Sequence, residues 1–195
     1  KYFDTSELAV ITGGPSVGEQ FSRLNLDHLL FIGSNRVAKK VAAQAAKNLV
    51  PTTLELGGKS PTIIGTNANM ALAAERILFS KTLNAGQICL SPDYIFVKKD
   101  EKRNLISELQ KAYSKFFPEP NSHNQTSMVN KHHLKRMNSY LLDATKKGAT
   151  VTSLGKDDDL DRNMISTKIV TEVNDGMDVL TVSYTHLTLP TTVSV

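Results

Sequence analysis

The 195-residue sequence is 40% hydrophobic and 22% charged, long enough for one domain with a core or for pieces of two, and balanced like a soluble globular protein rather than a disordered one. Its net charge of +4 is small and its Lys and Arg are interspersed with acids, with no basic stripe carrying aromatics, so a nucleic-acid partner is not expected. No apolar run approaches the ~18 residues of a membrane span, no signal peptide opens the chain, and a lone cysteine excludes an internal disulfide framework; together these fit a cytoplasmic protein with no membrane partner.

In chain order, Leu8 to Thr12 is a short apolar run closed by Gly13-Gly14-Pro15, the pattern of a buried strand and turn, and Ser16 to Leu24 follows as a short helix. A dinucleotide fingerprint fails here, because G-x-G-x-x-G counted from Gly13 to Gly18 needs glycine where Pro15 stands. A second strand, His28 to Ile32, runs through Gly33-Ser34 into a helix over Asn35 to Asn48. Val37, Val41, Ala45 and Leu49 mark its buried stripe. Gly33 permits close approach to the backbone and Ser34 can cap the helix, whose free N–H groups suit a pyrophosphate. From local sequence alone an ordinary strand-to-helix turn explains the same residues.

Two strands, Thr52 to Leu56 and Pro61 to Ile64, flank Gly57-Gly58. A helix over Asn69 to Leu83 then delivers the chain to Gly86 and Cys89. Tyr94 to Val97 is another strand. Glu101 to Phe117 is an amphipathic helix with Leu105, Ile106, Leu109, Tyr113 and Phe116 on one face, ended by Pro118 and Pro120. Asn130 to Lys147 is a second, using Leu134, Met137, Leu141 and Ala144 and stopped by Gly148. Thr150 to Ser153 and Lys168 to Val173 read as strands. Strands alternating with helices imply an α/β class, with a mostly parallel sheet covered on both faces.

No metal site is expected. His132 and His133 are adjacent on a helix and point about 100° apart, so they cannot chelate as an i, i+4 pair does. Asp157, Asp159 and Asp161 imitate the start of a calcium loop, but Arg162 and Lys168 occupy its glycine and glutamate positions.

Two side chains carry candidate chemistry. Cys89 follows Gly86-Gln87 and precedes Ser91-Pro92, a loop in which a thiol can be exposed and held by backbone donors. A buried, inert cysteine fits the bare pattern as well. Glu55 stands between Leu54 and Leu56 in a run that reads as buried; desolvation there would raise its pKa and suit it to general-base work. A surface charge closing a strand is the competing reading.

In context these residues form larger motifs. Glu55-Leu-Gly-Gly-Lys-Ser-Pro61 resembles the glutamate motif of the aldehyde dehydrogenase superfamily, Asn84-Ala-Gly-Gln-Ile-Cys89 resembles its cysteine motif, and Phe31-Ile-Gly-Ser34 its cofactor turn. The resemblance extends over about residues 1 to 181. Cys89-Leu-Ser-Pro-Asp-Tyr94 and Met128-Val-Asn130 are most similar to the class 3 and coniferyl aldehyde dehydrogenase branch.

The resemblance implies an NAD- or NADP-dependent oxidation of a small-molecule aldehyde to a carboxylic acid. Cys89 would be the nucleophile, forming a thiohemiacetal and then a thioester, and its backbone N–H would help hold the oxyanion. Glu55 would activate the hydrolytic water. Gly33 and Ser34 would meet the cofactor pyrophosphate with Val37 alongside, and Leu56 would lie near the nicotinamide. Ala38 departs from the family's usual glycine. The implied fold joins part of a Rossmann-like cofactor domain, residues 1–55, to part of a parallel-sheet catalytic domain, residues 56–181, in a homo-oligomeric parent.

Lys1 is not an initiator methionine, and the sequence reads as a central fragment lacking the family's oxyanion-hole asparagine and ribose-binding lysine. After Asp178-Val-Leu-Thr181 the family's acidic pair is also absent. Residues 182–195 contain no Asp, Glu, Lys or Arg, resemble translated sequencing adapter, and are expected to be non-native. Two other functions stay open on sequence grounds: a chain that keeps the fold without catalysis, and thioester acyl transfer through Cys89 without redox. Glu55 argues against a CoA route.

Overall fold

The computed structural model describes residues 2–118, 125–155, 158–181 and 191–193. Pro120, Asp157 and most of the expected non-native tail lie outside these described residues. The chain divides into two compact units, Lys1–Leu56 and Gly57–Val195.

In the first unit, α1 (Pro15–Phe21) begins with proline, whose missing N–H costs nothing at a helix start. Then come β1 (Leu29–Gly33), α2 (Asn35–Ala45) and β2 (Thr52–Leu56). Strands β1 and β2 pair in parallel, with Ile32 opposite Glu55 and Gly33 opposite Leu56. Leu29, Val41, Ala45 and Val50 form the core of this unit, with Leu26 and Phe31 packed against it. Two expectations fail. Leu8 to Thr12 forms no strand, and Leu8, Val10 and Ile11 are exposed, because the run makes no ladder with β1 or β2. The buried stripe of α2 is Ala38, Val41 and Ala45, while Val37 is exposed on its first turn. Leu49 leaves the stripe because the chain turns left-handed there, at φ 57°, to end the helix.

The second unit runs through β3 (Ser60–Ile63), α3 (Met70–Thr82), β4 (Pro92–Phe96), α4 (Lys102–Phe116), α5 (Lys131–Lys146), β5 (Thr150–Ser153), β6 (Lys168–Thr171), α6 (Asp178–Thr181) and β7 (Thr191–Val193). Strand β4 lies between β3 and β7, parallel to both. Strands β5 and β6 are antiparallel, the exception to the parallel expectation. Strand β6 stops short of Val173 because Glu172 takes φ 58°, which no ladder accommodates. Strand β7 falls in the expected tail; its pairing uses only main-chain groups, which any extended segment can offer.

The main core packs Ile77 and Leu78 of α3 and Leu105 and Leu109 of α4 with Ile95 of β4 and Ile169 of β6. Helix α5 buries Leu134 and Met137 with Met128 and Ile165. Asn side chains cap two helices by accepting backbone hydrogen bonds: Asn69 from Leu72 and Asn130 from His133. Sheet faces are less covered than expected, since Leu30, Ile32 and Ile63 are exposed. Among the described residues, no helix is long and apolar enough to cross a membrane.

Candidate functional site

The candidate cofactor residues gather at one edge of the first unit. Because β1 and β2 are parallel and in register, their carboxyl ends bring Gly33 beside Leu56, with Glu55 one residue before it. Ligands of open α/β sheets bind outside this end of the strands. Ser34 is extended, at φ −79° and ψ 150°, and caps α2 by accepting a hydrogen bond from Val37 N at 3.3 Å. The first turn of α2 holds Arg36 and no carboxylate, so nothing there repels an anionic pyrophosphate. Gly33 also has a packing reason to be glycine, since a Cβ would overlap the Phe31 ring.

Glu55 is the penultimate residue of β2 in the first unit, where both it and Leu54 are exposed. The burial that the flanking leucines suggested is not present around Glu55. Alternation of side chains along β2 turns this carboxylate to an open face rather than to the small core behind Leu29.

Cys89 lies in the second unit, exposed, on the turn between α3 and β4. The backbone leading to it is unusual. Asn84 (φ 50°, ψ 36°), Ala85 (φ 55°, ψ 30°) and Gly86 (φ 76°) are three consecutive left-handed residues. Glycine takes that region freely and Asn tolerates it, but Ala85 costs roughly 1–2 kcal/mol. Gln87 braces the turn: its backbone N–H and its side-chain Nε2 both donate to Asn84 O, at 3.0 and 2.9 Å. Its Nε2 also donates to Ser127 O at 3.1 Å, and its Oε1 accepts from Val129 N at 3.0 Å.

On its other side the cysteine backbone packs on the second glycine of the Gly57-Gly58 pair. A Cβ at Gly58 would come within 2.8 Å of Cys89 O, so that approach requires glycine. Ser60 Oγ reaches the same carbonyl at 3.5 Å.

The second unit also holds a charge cluster that sequence reasoning missed. Lys59 forms an ion pair with buried Asp93 of β4 and donates to Val179 O at 2.9 Å. Lys81, near the end of α3, is 2% exposed, and its Nζ has no hydrogen-bond partner among the described residues. Burial lowers the Lys81 pKa to about 8, against the pull of Asp93 and with the repulsion of Lys59. Lys81 lines a pocket of about 20 Å³ with Thr82, Gln125, Thr126 and Thr167, room for about one water. The signal was present: Lys81 continues the Ala74, Ile77, Leu78 stripe at helical spacing, so a lysine stands where an apolar residue belongs.

At α5, the His133 pKa is lowered by burial and by Arg136, whose Nη2 lies 2.7 Å from His133 Nδ1. Among the described residues, no group of three or more His, Cys, Asp or Glu could hold a metal ion.

The aldehyde dehydrogenase family model matches residues 3–182. A probable coniferyl aldehyde dehydrogenase of Caulobacter vibrioides is 48% identical over 155 residues, 79% of this chain and 32% of that protein. The coniferyl aldehyde dehydrogenase of a Pseudomonas species is 42% identical over the same shares of the two chains. The chain thus spans about a third of the length of these relatives. Among solved structures, a substrate-bound Staphylococcus aureus AldH matches with a TM-score of 0.89 and 33% identity, over 99% of this chain and 42% of that one. The betaine aldehyde dehydrogenase of Staphylococcus aureus, solved with NAD+, shares the fold at a TM-score of 0.82 and 24% identity, over 95% of this chain and 38% of that one.

Proposed function

The chain belongs to the aldehyde dehydrogenase family and resembles its coniferyl aldehyde dehydrogenase members, and from that premise we propose that it carries the cofactor turn, base and nucleophile of an NAD(P)-dependent oxidation of an aldehyde to a carboxylic acid. The observation that carries the reading is the exposed Cys89 on a braced, left-handed turn, its carbonyl seated on Gly58 of the glutamate motif. An inert structural cysteine would be buried; this one is open to an electrophile.

In this mechanism the Cys89 thiolate attacks the aldehyde carbon, forming the C–S bond of a thiohemiacetal, and the Cys89 N–H donates to the resulting oxyanion. NAD or NADP, when bound, supplies the hydride acceptor that makes the step an oxidation. A thioester then remains on Cys89. Glu55 takes a proton from water, the hydroxide adds to the thioester carbon, and the C–S bond breaks to release the carboxylic acid and the thiolate. Gly33, Ser34 and Val37 would hold the pyrophosphate at the start of α2, and Leu56 the nicotinamide end. Residues 1–55 would then belong to the cofactor domain and 56–181 to the catalytic domain of a cytoplasmic homo-oligomer. Residues 182–195, beginning where the family match ends, would be non-native. Sequencing the gene tests that point, since an unbroken native frame through the same residues refutes it.

The experiment is aldehyde-dependent NAD(P)H formation by the full-length gene product, with coniferyl aldehyde tried first. Cys89→Ala is expected to abolish it. Undiminished turnover in that variant removes Cys89 from the role.

A further inference from the structure

We propose that Gln87 is a positioning residue for the Cys89 nucleophile, acting as a clamp that holds the left-handed turn and ties it to the rigid start of α5. The inference deepens the reading of Cys89 as nucleophile and rests on it. The turn over Asn84, Ala85 and Gly86 is conformationally costly and needs partners to persist. Asn84 supplies only a 3.3 Å bond from its Nδ2 to Gln87 O. Gln87 adds its own N–H and side-chain bonds to Asn84 O, and its side chain also reaches beyond the turn.

What it reaches is well anchored. Ser127 O and Val129 N flank Met128, which is 2% exposed, packs with Leu134, Met137 and Ile165, and donates its N–H to Asn163 O at 2.8 Å. The next residue, Asn130, caps α5. A primary amide is the one side-chain group that can give two hydrogens to two carbonyls and accept one from an amide on the same terminus. Gln87 uses all of these, so the brace is specific to glutamine rather than to a polar residue of similar size. Two residues on, Cys89 inherits the rigidity, and its direction of approach is set by a segment about 40 positions away.

The test uses the single cysteine as its own reporter. A trifluoroacetonyl group on Cys89 of the 195-residue chain is read by fluorine NMR, with hydrogen exchange at the Val129 amide in parallel. The unsubstituted chain is expected to give one line distinct from that of the urea-unfolded chain. Gln87→Met, near in volume but without the three side-chain bonds, is expected to move that line to the unfolded position and to speed Val129 exchange about tenfold, with core amides such as Leu105 and Leu109 unchanged. Gln87→Glu keeps the acceptor for Val129 N but sets carboxylate oxygens against the Asn84 and Ser127 carbonyls. It is expected to restore Val129 protection without restoring the fluorine line, and it carries the test if Gln87→Met does not fold. A line and an exchange rate unchanged in whichever variant folds overturn the proposal. In the full-length gene product the same variants should lower kcat about tenfold with little change in the aldehyde KM. A gene product that oxidises no aldehyde would defeat the functional reading while leaving the fluorine and exchange results to judge the clamp.

Discussion

The two units offer candidate residues on unlike scaffolds. The first unit gathers Gly33, Ser34, Val37, Glu55 and Leu56 at the carboxyl ends of two strands, over a core of four buried residues, and leaves Val10, Ile11, Leu30 and Ile32 exposed. The second unit seats Cys89 above a larger core in which Leu78, Ile95, Leu105, Leu109 and Ile169 are fully buried. A motif and the packing that supports it are therefore separate properties. The cysteine motif and the Gly57–Pro61 part of the glutamate motif are held by contacts within the second unit, whereas Glu55 stands exposed in the first.

The largest difference between the units is expected in their cores. Leu109→Ala in the second unit is expected to cost about 2–5 kcal/mol in urea unfolding, while Val41→Ala in the first costs about 1–2 kcal/mol. Equal losses would show that the first unit packs as well as the second. A sharper test lies at Lys81. Below about pH 8 its amine is charged in both folded and unfolded chains, and the folded state bears the whole burial penalty. Between about 8 and its ordinary 10.5 the folded chain has shed a proton that the unfolded chain still binds, so stability rises with pH through that window. The gain is expected to approach 3 kcal/mol, and Lys81→Met should flatten it. A urea midpoint with the same pH dependence in both proteins would mean that the amine is hydrated.

The smallest effect is expected at Asp158, in the β5–β6 connection. Burial raises its pKa, but Lys168 and the Ser166 backbone and hydroxyl hydrogen bonds outweigh this and leave it lowered. Its contribution is therefore present above the ordinary value of 3.8 and is lost as pH falls through the lowered one. Asp158→Asn should cost less than about 1 kcal/mol at neutral pH, because the group is partly exposed, and should reduce the acid sensitivity of the second unit. Unaltered acid unfolding would place the ion pair outside the stability of that unit.

Periodicity located most elements of both units. Strands β2 and β5 occupy the residues expected of them, and α4 and α5 bury Leu105, Leu109 and Leu134 as expected, with Leu141 half-buried. Leu8 to Thr12 was misread because an apolar pattern shows what a segment can bury, not whether a covering surface exists, and Leu49 because its left-handed turn ends the helix before the stripe reaches it. The site was legible as motifs and illegible as a structure. Lys59 and Asp93 both stand within quoted motifs, but their ion pair depends on the parallel register of β3 and β4, which no local pattern encodes. The Gln87 brace was hidden likewise, since its partners at Ser127 and Val129 belong to a distant segment. Glu55 shows the limit of flanking hydrophobicity, because two neighbouring leucines did not bury it.

The central claim, that Cys89 forms the acyl-enzyme and Glu55 releases it, is tested most directly by rapid mixing of the full-length Glu55→Gln gene product with aldehyde and NAD(P). A burst of NAD(P)H of about one equivalent per active site is expected, followed by turnover slowed about a hundredfold or more, because the thioester still forms but is not hydrolysed. Steady turnover at the unsubstituted rate, with no burst, would contradict it.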